Sequence, residues 1–177
     1  MLLFLESFYG GSHGAFADGF AAASRFDVAL RTLPAERWRQ RARAAAFHFA
    51  QTVERPEQFD AAVVTDLIDL ADLRALWRSR CPPILLYMHE SQATYPLPKG
   101  KSRALDETLR DIKNALHAER VVFNSHFHRA RFLESVETAA ADIEHFATDR
   151  TVQAIADKSA VLSVAKCSIS AAAVSTL

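Results

Sequence analysis

The sequence contains little cysteine, little glycine and no net charge. Its two cysteines, Cys81 and Cys167, lie far apart and do not form the paired spacing that is typical of zinc or redox sites. We therefore expect reduced thiols in a cytosolic protein. The 21 basic side chains are balanced by 21 acidic ones, so no overall field favours a polyanion or an anionic membrane. Any contact with phosphate groups must come from a local patch.

Long hydrophobic runs are also missing. No stretch approaches the roughly 20 apolar residues that a transmembrane helix requires. The first residues, MLLFLE, are apolar, but the run is short, lacks a basic start and soon reaches Glu6. It predicts a buried strand rather than a signal peptide. Half of the 177 residues are hydrophobic, which is enough for a substantial core, and the length indicates one domain or two small ones.

The segment ILLYMHESQATYP, residues 84–96, is the centre of the remaining pattern. Ile84–Met88 is an apolar run without alternation, directly after two prolines. Such a run is typical of a parallel strand that is buried on both faces. His89 and Glu90 follow at its carboxyl end, where ligands of open α/β sheets bind. The pair is therefore either a functional site or simply a solvated strand end.

A glycine-rich loop follows the first predicted strand, Met1–Leu5. The loop GGSHG, residues 10–14, precedes apolar residues at helical spacing that continue to about Phe26. A strand, a glycine loop and a helix in this order let backbone N–H groups face an anion or a sugar hydroxyl. The alternative is a tight turn that merely requires glycine. His13 favours function, because it would lie at the mouth of the same crevice.

Three further strands complete an alternating pattern. They are predicted at Asp27–Leu33, Phe59–Thr65 and Arg120–Phe123, each separated from the next by a helical pattern. Five such alternations predict a Rossmann-like parallel sheet with helices on both faces. The fold alone names no reaction.

Arginines crowd the first half of a helix predicted at about Ala35–Val53. The run RWRQRAR contains Trp38, Arg41 and Arg43. It is either a solvated helix face or a phosphate-binding patch, because guanidinium groups suit phosphate oxygens. The next helix is predicted to start near Asp66, where an acid favours the positive end of the helix dipole. A metal site is the less favoured use of its acids.

Polar residues also follow the fifth strand. Asn124 is placed to reach the crevice, and Ser125 is a suitable N-cap for the next helix. His126 and His128 are interpreted as part of a solvated helix face. The polar loop Leu97–Ser102 is long enough to move over a site.

These residues together resemble a known family. The match runs in order over about residues 2–136 and rests on five segments: LESFYGGSH, RWRQRAR, TDLIDLADLRAL, ILLYMHESQATYP and RVVFNSHFHRARFL. They resemble the N-terminal half of the tRNA-queuosine α-mannosyltransferase family. That family is similar to glycosyltransferases with the two-domain GT-B architecture. The resemblance implies transfer of mannose from the nucleotide sugar GDP-mannose to queuosine in the anticodon of an aspartate tRNA, without a bound metal or other cofactor.

The resemblance also implies roles for individual residues. His89 or Glu90 would orient or deprotonate the acceptor hydroxyl, and His89 is preferred because imidazole titrates near neutral pH. Arg41 and Arg43 would meet phosphates of the acceptor tRNA. The full set of implied substrate-binding residues is Gly10, Gly11, Ser12, His13, Trp38, Arg41, Arg43, Gln92, Tyr95, Asn124 and Ser125.

The sequence departs from the family in three places. Ser91 stands where the family usually has Asn, and the helix of residues 105–116 lacks an aromatic-glycine pair. The Ser/Ala-rich segment Lys166–Leu177 does not continue the family, and no glycine follows Gly100. We therefore expect a Rossmann-like N-terminal domain at residues 1–137 and, at 138–177, a partial linker and a divergent tail. The donor-binding second domain would be a missing structural partner, and the isolated chain would be inactive. The alternative is a truncated, non-catalytic binding domain.

Overall fold

Strands and helices alternate along the chain. The computed structural model describes residues 1–96, 105–141 and 143–162. The strands are β1 (Leu2–Tyr9), β2 (Val28–Pro34), β3 (Ala61–Thr65), β4 (Ile84–Met88), β5 (Arg120–Phe123) and β6 (Ser159–Val161). The helices are α1 (Gly11–Ala23), α2 (Trp38–Thr52), α3 (Leu70–Trp77), α4 (Leu105–His117), α5 (His126–Ala141) and α6 (Thr148–Asp157). Single 3₁₀ turns occupy Pro56–Gln58 and Arg78–Arg80.

The six strands form one parallel sheet in the order β2-β1-β3-β4-β5-β6. From β1 the chain first moves outward to β2, and then returns across β1 to β3 and continues the other way. The strand order therefore reverses between β1 and β3. A crevice opens at such a reversal, beyond the carboxyl ends of the strands, and this is where open α/β sheets bind their ligands.

Helices cover both faces of the sheet, as predicted, but unequally. Helix α1 packs on one face, where the Phe16 ring stacks on Tyr87 at 3.8 Å and Phe20 lies 5.1 Å from Phe4. The larger core lies on the opposite face, where side chains of the other five helices pack together, among them Phe49, Trp77, Phe132 and Ile155. Because successive strand residues point to opposite faces, α1 and the remaining helices bury alternate residues of the same strands.

The central strands follow the sequence prediction closely. Strands β4 and β5 have the predicted bounds, and every residue of β4 is buried. The sequence did not predict β6, which pairs in parallel with β5 and places Ala160 opposite Val122. Helix α6 and β6 both lie beyond residue 137. Strand β6 extends the same sheet, and α6 packs against its larger core through Ile155.

The structure does not cover every predicted segment, and it bears on the predictions about the cysteines and membrane-spanning helices only in part. The predicted loop Leu97–Ser102, Cys167 and the tail Lys166–Leu177 all lie outside the described residues. Cys81 is a free thiol. Among the helices that the structure describes, none combines the length and apolar character needed to cross a membrane.

Helix α3 begins four residues later than the sequence predicts. Its N-cap is Asp69, whose Oδ1 accepts hydrogen bonds from the backbone N–H of Ala71 (3.0 Å) and Asp72 (3.1 Å). The prediction that the helix starts near Asp66 is wrong, because buried Asn114 holds the preceding segment out of the helix. Its Oδ1 accepts from the backbone N–H of Leu70 at 2.8 Å. Asp66 is thereby left at the carboxyl end of β3.

Candidate active site

Polar side chains from several strand ends meet at the carboxyl edge of the sheet. The ring of His13, in the first turn of α1, stacks on the ring of His89 at a centroid distance of 4.1 Å. Asn124, directly after β5, donates from Nδ2 to the backbone oxygen of His89 at 2.6 Å. The backbone N–H of His89 donates to Oδ1 of Asp66 at 3.2 Å. The structure therefore brings His13, His89 and Asn124 into one cluster, as the sequence predicted.

Glu6 and His13 form a buried acid-imidazole pair. Glu6, near the end of β1, is inaccessible to solvent. Its Oε1 accepts from the backbone N–H of Phe8 at 2.7 Å, and its Oε2 lies 3.2 Å from Nδ1 of His13. Burial by itself lowers the pKa of His13, but the hydrogen bond and charge of Glu6, assisted by Asp66 and Glu90, outweigh burial and raise it. The pairing with Glu6 therefore favours the protonated form of His13.

His89 stays neutral in the cluster. Burial, together with unfavourable electrostatic interactions with the His13 and His128 imidazoles, lowers its pKa to about 3. This low pKa does not support the prediction that His89 titrates near neutral pH, because an imidazolium at this position would lack water and lie beside two other imidazoles. Its Nε2 is buried and has no hydrogen-bond partner among the described residues. His89 can accept a hydrogen bond but is a weak base.

Asp66 is a titratable residue of the cluster that the sequence analysis placed at a helix start and did not include among the predicted site residues. Burial raises its pKa to about 8; the charge of His13 opposes this shift, whereas Asp111 and Glu6 add to it. At neutral pH its carboxyl group is therefore mostly protonated. The available sequence signal was its position, since an acid directly after a buried strand lies at the carboxyl edge of the sheet.

A hydrogen-bond chain fixes the tautomer of His128. Because Asn124 donates from Nδ2 to His89, its Oδ1 is oriented to accept, and it lies 3.1 Å from Oγ of Ser125 and 3.2 Å from Nδ1 of His128. The imidazole must therefore carry its hydrogen on Nδ1, which leaves Nε2 as an acceptor. Burial lowers the pKa of His128 and keeps it neutral. The interpretation of His128 as a solvated residue is wrong, since it is only 8% exposed.

Ser125 has the capping role that the sequence predicted. Its Oγ accepts from the backbone N–H of His128 at 3.1 Å, at the start of α5. The same hydroxyl donates to Asn124. Ser125 therefore joins the helix end to the polar cluster.

A cavity of about 470 Å³ opens over this cluster, between the loop after β4 and the start of α5. Its lining includes His89, Glu90, Tyr95, Asn124, Phe127 and His128. Buried Asp111 anchors the loop after β4: its Oδ2 accepts from Oγ of Ser91 (2.8 Å) and from the backbone N–H of Gln92 (2.7 Å). Burial raises the pKa of Asp111, and the charge of Arg110 opposes that shift. The loop is therefore held in place below the cavity.

The predicted residues of α2 lie in a different place. Trp38 and Arg43 line a separate groove of about 460 Å³ between α2, α3 and α4. In this groove Nη2 of Arg43 lies 3.7 Å from Asp106, and Nε of Arg39 lies 3.5 Å from Glu107. The groove and the cavity share no lining residue. The structure therefore does not join the arginine run to the His89 cluster.

Comparison with known proteins assigns the chain to a protein family. The family model for the N-terminal part of tRNA-queuosine alpha-mannosyltransferase matches residues 1–165. The chain belongs to this family. A Drosophila melanogaster protein named tRNA-queuosine alpha-mannosyltransferase is 36% identical over 142 residues, which cover 77% of this chain and 37% of the fly protein. The chain thus spans little more than a third of the length of that relative. No solved structure matches it.

In this member of the tRNA-queuosine alpha-mannosyltransferase family, the glycine loop has clear steric reasons. A Cβ atom on Gly10 would lie 2.6 Å from Cβ of Ala35, and Gly11 has a φ of +54° at the first position of α1. No side chain caps this helix end, and Ser12 is exposed. Both glycines are therefore required by the turn itself. A role of the loop in binding an anion or a sugar stays a prediction.

Glu6, His13 and His89 also form a group of potential metal ligands, with one donor atom each and all of these atoms within 4.8 Å of one another. The present ring geometry does not suit a shared ion. The His13 and His89 rings are stacked with an angle of 29° between their planes, so their ring nitrogens lie in separate, nearly parallel planes. Glu6 already pairs with Nδ1 of His13. We interpret the group as a hydrogen-bonded and stacked cluster.

Proposed function

We propose that this chain is the acceptor-side domain of a glycosyltransferase that moves mannose from GDP-mannose to queuosine in tRNA. Membership of the tRNA-queuosine alpha-mannosyltransferase family supports the reaction class. The observation that carries the acceptor-side assignment is the buried, unpartnered Nε2 of His89 beside a cavity at the carboxyl edge of the sheet. Such a nitrogen suits a sugar-like hydroxyl, which donates one hydrogen bond.

The chemistry divides between two neighbouring residues. In the transfer, the acceptor hydroxyl oxygen bonds to the anomeric carbon, the bond from that carbon to GDP breaks, and the hydroxyl proton must leave. Neutral His89 would accept the hydroxyl hydrogen bond and orient the oxygen. Glu90 lines the same cavity and is partly exposed, so its carboxylate would take the proton. Asn124 fixes the His89 backbone through the 2.6 Å hydrogen bond.

The donor would bind mainly to a second domain. A departing nucleoside diphosphate needs positive charge to stabilise it. Among the described residues that line the cavity, the one arginine is Arg131, which is paired with Glu134. We propose that a donor-binding domain completes the GT-B architecture and that the present chain alone does not transfer mannose. The reaction is proposed to need no bound metal or other cofactor.

A non-catalytic binding domain is the second candidate. The scarcity of cationic side chains around the cavity favours it. Incubation of the chain with GDP-mannose and queuosine-containing tRNA can exclude the second candidate, because a non-catalytic binding domain would not transfer mannose. Measurable transfer would also contradict the proposal that the chain alone is inactive.

The acceptor-side proposal is tested by binding of queuosine-containing tRNA to the chain. Arg41→Ala with Arg43→Ala should weaken binding and make it less dependent on salt, since contacts to phosphate release counterions. Arg25→Ala removes one positive charge from the exposed loop between α1 and β2, at the amino edge of the sheet, and is the matched control for each single substitution, Arg41→Ala or Arg43→Ala. Equal losses in Arg25→Ala would show a nonspecific charge effect, and absence of any tRNA binding would contradict the proposal.

A further inference from the structure

Phe127 is the most exposed large hydrophobic side chain among the described residues, at 75%. It is the second residue of α5 and lines the cavity beside the His89 cluster. Tyr95, which is 48% exposed, belongs to the same lining. Two exposed aromatic side chains therefore border one concave site. A planar ligand could stack there and remove both from water.

The inner part of the cavity offers hydrogen-bond acceptors. His128 is more than nine-tenths buried, and its Nε2 has no partner among the residues that the structure describes. The chain through Asn124 makes this nitrogen an acceptor. Nε2 of His89 is also buried without a partner among the described residues, and His89 lines the same cavity. Buried acceptors without partners are unfavourable, so a ligand that donates hydrogen bonds here would satisfy them.

We propose that this cavity binds an unpaired nucleobase of the acceptor RNA, stacked on Phe127 beside Tyr95 and donating an N–H group to His128. The assignment rests on the proposed function, and it adds the mode of RNA recognition. Proteins read unpaired RNA bases by stacking them on aromatic side chains and hydrogen bonding to their edges. Most nucleobases carry an amino or ring N–H donor on such an edge, and the cavity has the size of a small-molecule site.

The position of Phe127 distinguishes it from a hydrophobic side chain that is exposed without a function. Phe47, on α2, is also exposed, at 49%, but it does not belong to the lining of the cavity or of the α2 groove. Single exposed hydrophobic side chains are common on soluble proteins. Phe127 differs because it is combined with a second aromatic side chain and with two buried imidazole nitrogens that lack partners among the described residues. Phe47 is therefore the natural control.

The test measures binding of a fluorescent hairpin RNA with an unpaired anticodon-type loop by anisotropy. Phe127→Leu should weaken binding about ten-fold, since loss of stacking on a base has an effect of this order. Phe127→Tyr keeps the aromatic face and should bind nearly as wild type, and Phe47→Leu should have no effect. A blunt duplex of the same composition should bind equally to wild type and Phe127→Leu, because it presents no unpaired base.

The outcomes separate this inference from the proposed function. If the hairpin binds but Phe127→Leu binds equally well, the base site is overturned and the acceptor role survives. If the hairpin does not bind, the acceptor role fails, and an NMR titration with guanosine decides the base site. Shifts of the Phe127 and His128 ring signals would support it, and unchanged signals would overturn it. Concentration-dependent dimerisation that Phe127→Leu abolishes would make the ring a protein contact and also overturn the assignment.

Discussion

At the residue scale, Asp66 makes the stability of the fold depend on pH. The pKa of its carboxyl rises from 3.8 to about 8 on folding, chiefly because of burial. Between these values the folded state holds a proton that the unfolded chain has released. The Asp66 contribution to the free energy of unfolding therefore decreases as pH rises from about 4 to 8. The raised pKa of His13 acts in the same direction above its unfolded value.

We predict that Asp66→Asn removes much of this pH dependence. The amide oxygen can still accept from the backbone N–H of His89, whereas the charge that burial penalises is gone. Relative to wild type, the variant should gain at least about 1 kcal/mol of unfolding free energy between pH 5 and pH 8, because each pKa unit corresponds to about 1.4 kcal/mol. Urea titrations across this range provide the measurement. Asp106→Asn, at an exposed acid, is the control, and parallel profiles for wild type and Asp66→Asn would refute the prediction.

The residues of the cluster differ in how well their positions could be predicted from the sequence. His89 and Asn124 directly follow apolar strands, so the parallel sheet places them at one edge without further information. Glu6 lies inside its strand, and its role depends on the side chain that α1 presents to it. His128 lies between Phe127 and Arg129 in sequence, and its ring is placed by contact with Phe123 and by the hydrogen bond of its Nδ1 to Asn124. Its role arises from tertiary contacts that no local pattern encodes.

At the element scale, the segment from β1 into α1 requires glycine at positions 10 and 11 and merely tolerates it at position 14. A Cβ on Gly10 would meet Cβ of Ala35 at 2.6 Å, whereas a Cβ on Gly14 would find its nearest atom, in the Tyr9 ring, at 3.7 Å. We predict that Gly10→Ala destabilises the fold by about 1–3 kcal/mol, as overpacking does. Gly14→Ala lies within α1 and should stabilise the fold by up to about 1 kcal/mol.

Thermal or urea unfolding of both variants checks this pair. The two substitutions add the same methyl group four residues apart, so a general effect of Gly→Ala would move both in one direction. Opposite signs are expected. Equal stabilities for Gly10→Ala and wild type would mean that Ala35 moves aside without cost.

The elements themselves were predictable to different degrees. Strand β4 is apolar throughout and follows two prolines, so its first and last residues could be predicted from the sequence. Strand β6 has only three residues, none of them fully buried, so its apolar run is too short to predict a strand. Helix α3 starts late because Asn114, on α4, binds the backbone before it. That contact is distant in sequence, and Asp66, the first of the acids at positions 66, 69 and 72, was predicted as the helix start.

At the scale of the whole molecule, positive and negative charges are evenly matched and also locally paired. The 21 basic residues equal the 21 acidic ones. In the α2 groove, Arg39 and Arg43 face Glu107 and Asp106, and across it Nζ of Lys113 lies 2.7 Å from Asp69. An RNA that approaches this surface meets both signs of charge. Long-range steering should be weak, and affinity should depend on a small number of direct contacts.

We therefore predict a shallow salt dependence for RNA binding by the wild-type chain. If Arg41 and Arg43 each contact one phosphate, the logarithm of the association constant should fall with the logarithm of salt concentration with a slope between about −1 and −2. Anisotropy titrations with the hairpin RNA at several salt concentrations measure this slope, and the double arginine-to-alanine variant should bring it close to zero. A slope steeper than about −4 would contradict the prediction, because it would require a broad basic surface. Such a surface would have to recruit further cations that are now paired with acids, such as Arg39 with Glu107, and Glu107→Gln would then strengthen binding by releasing Arg39.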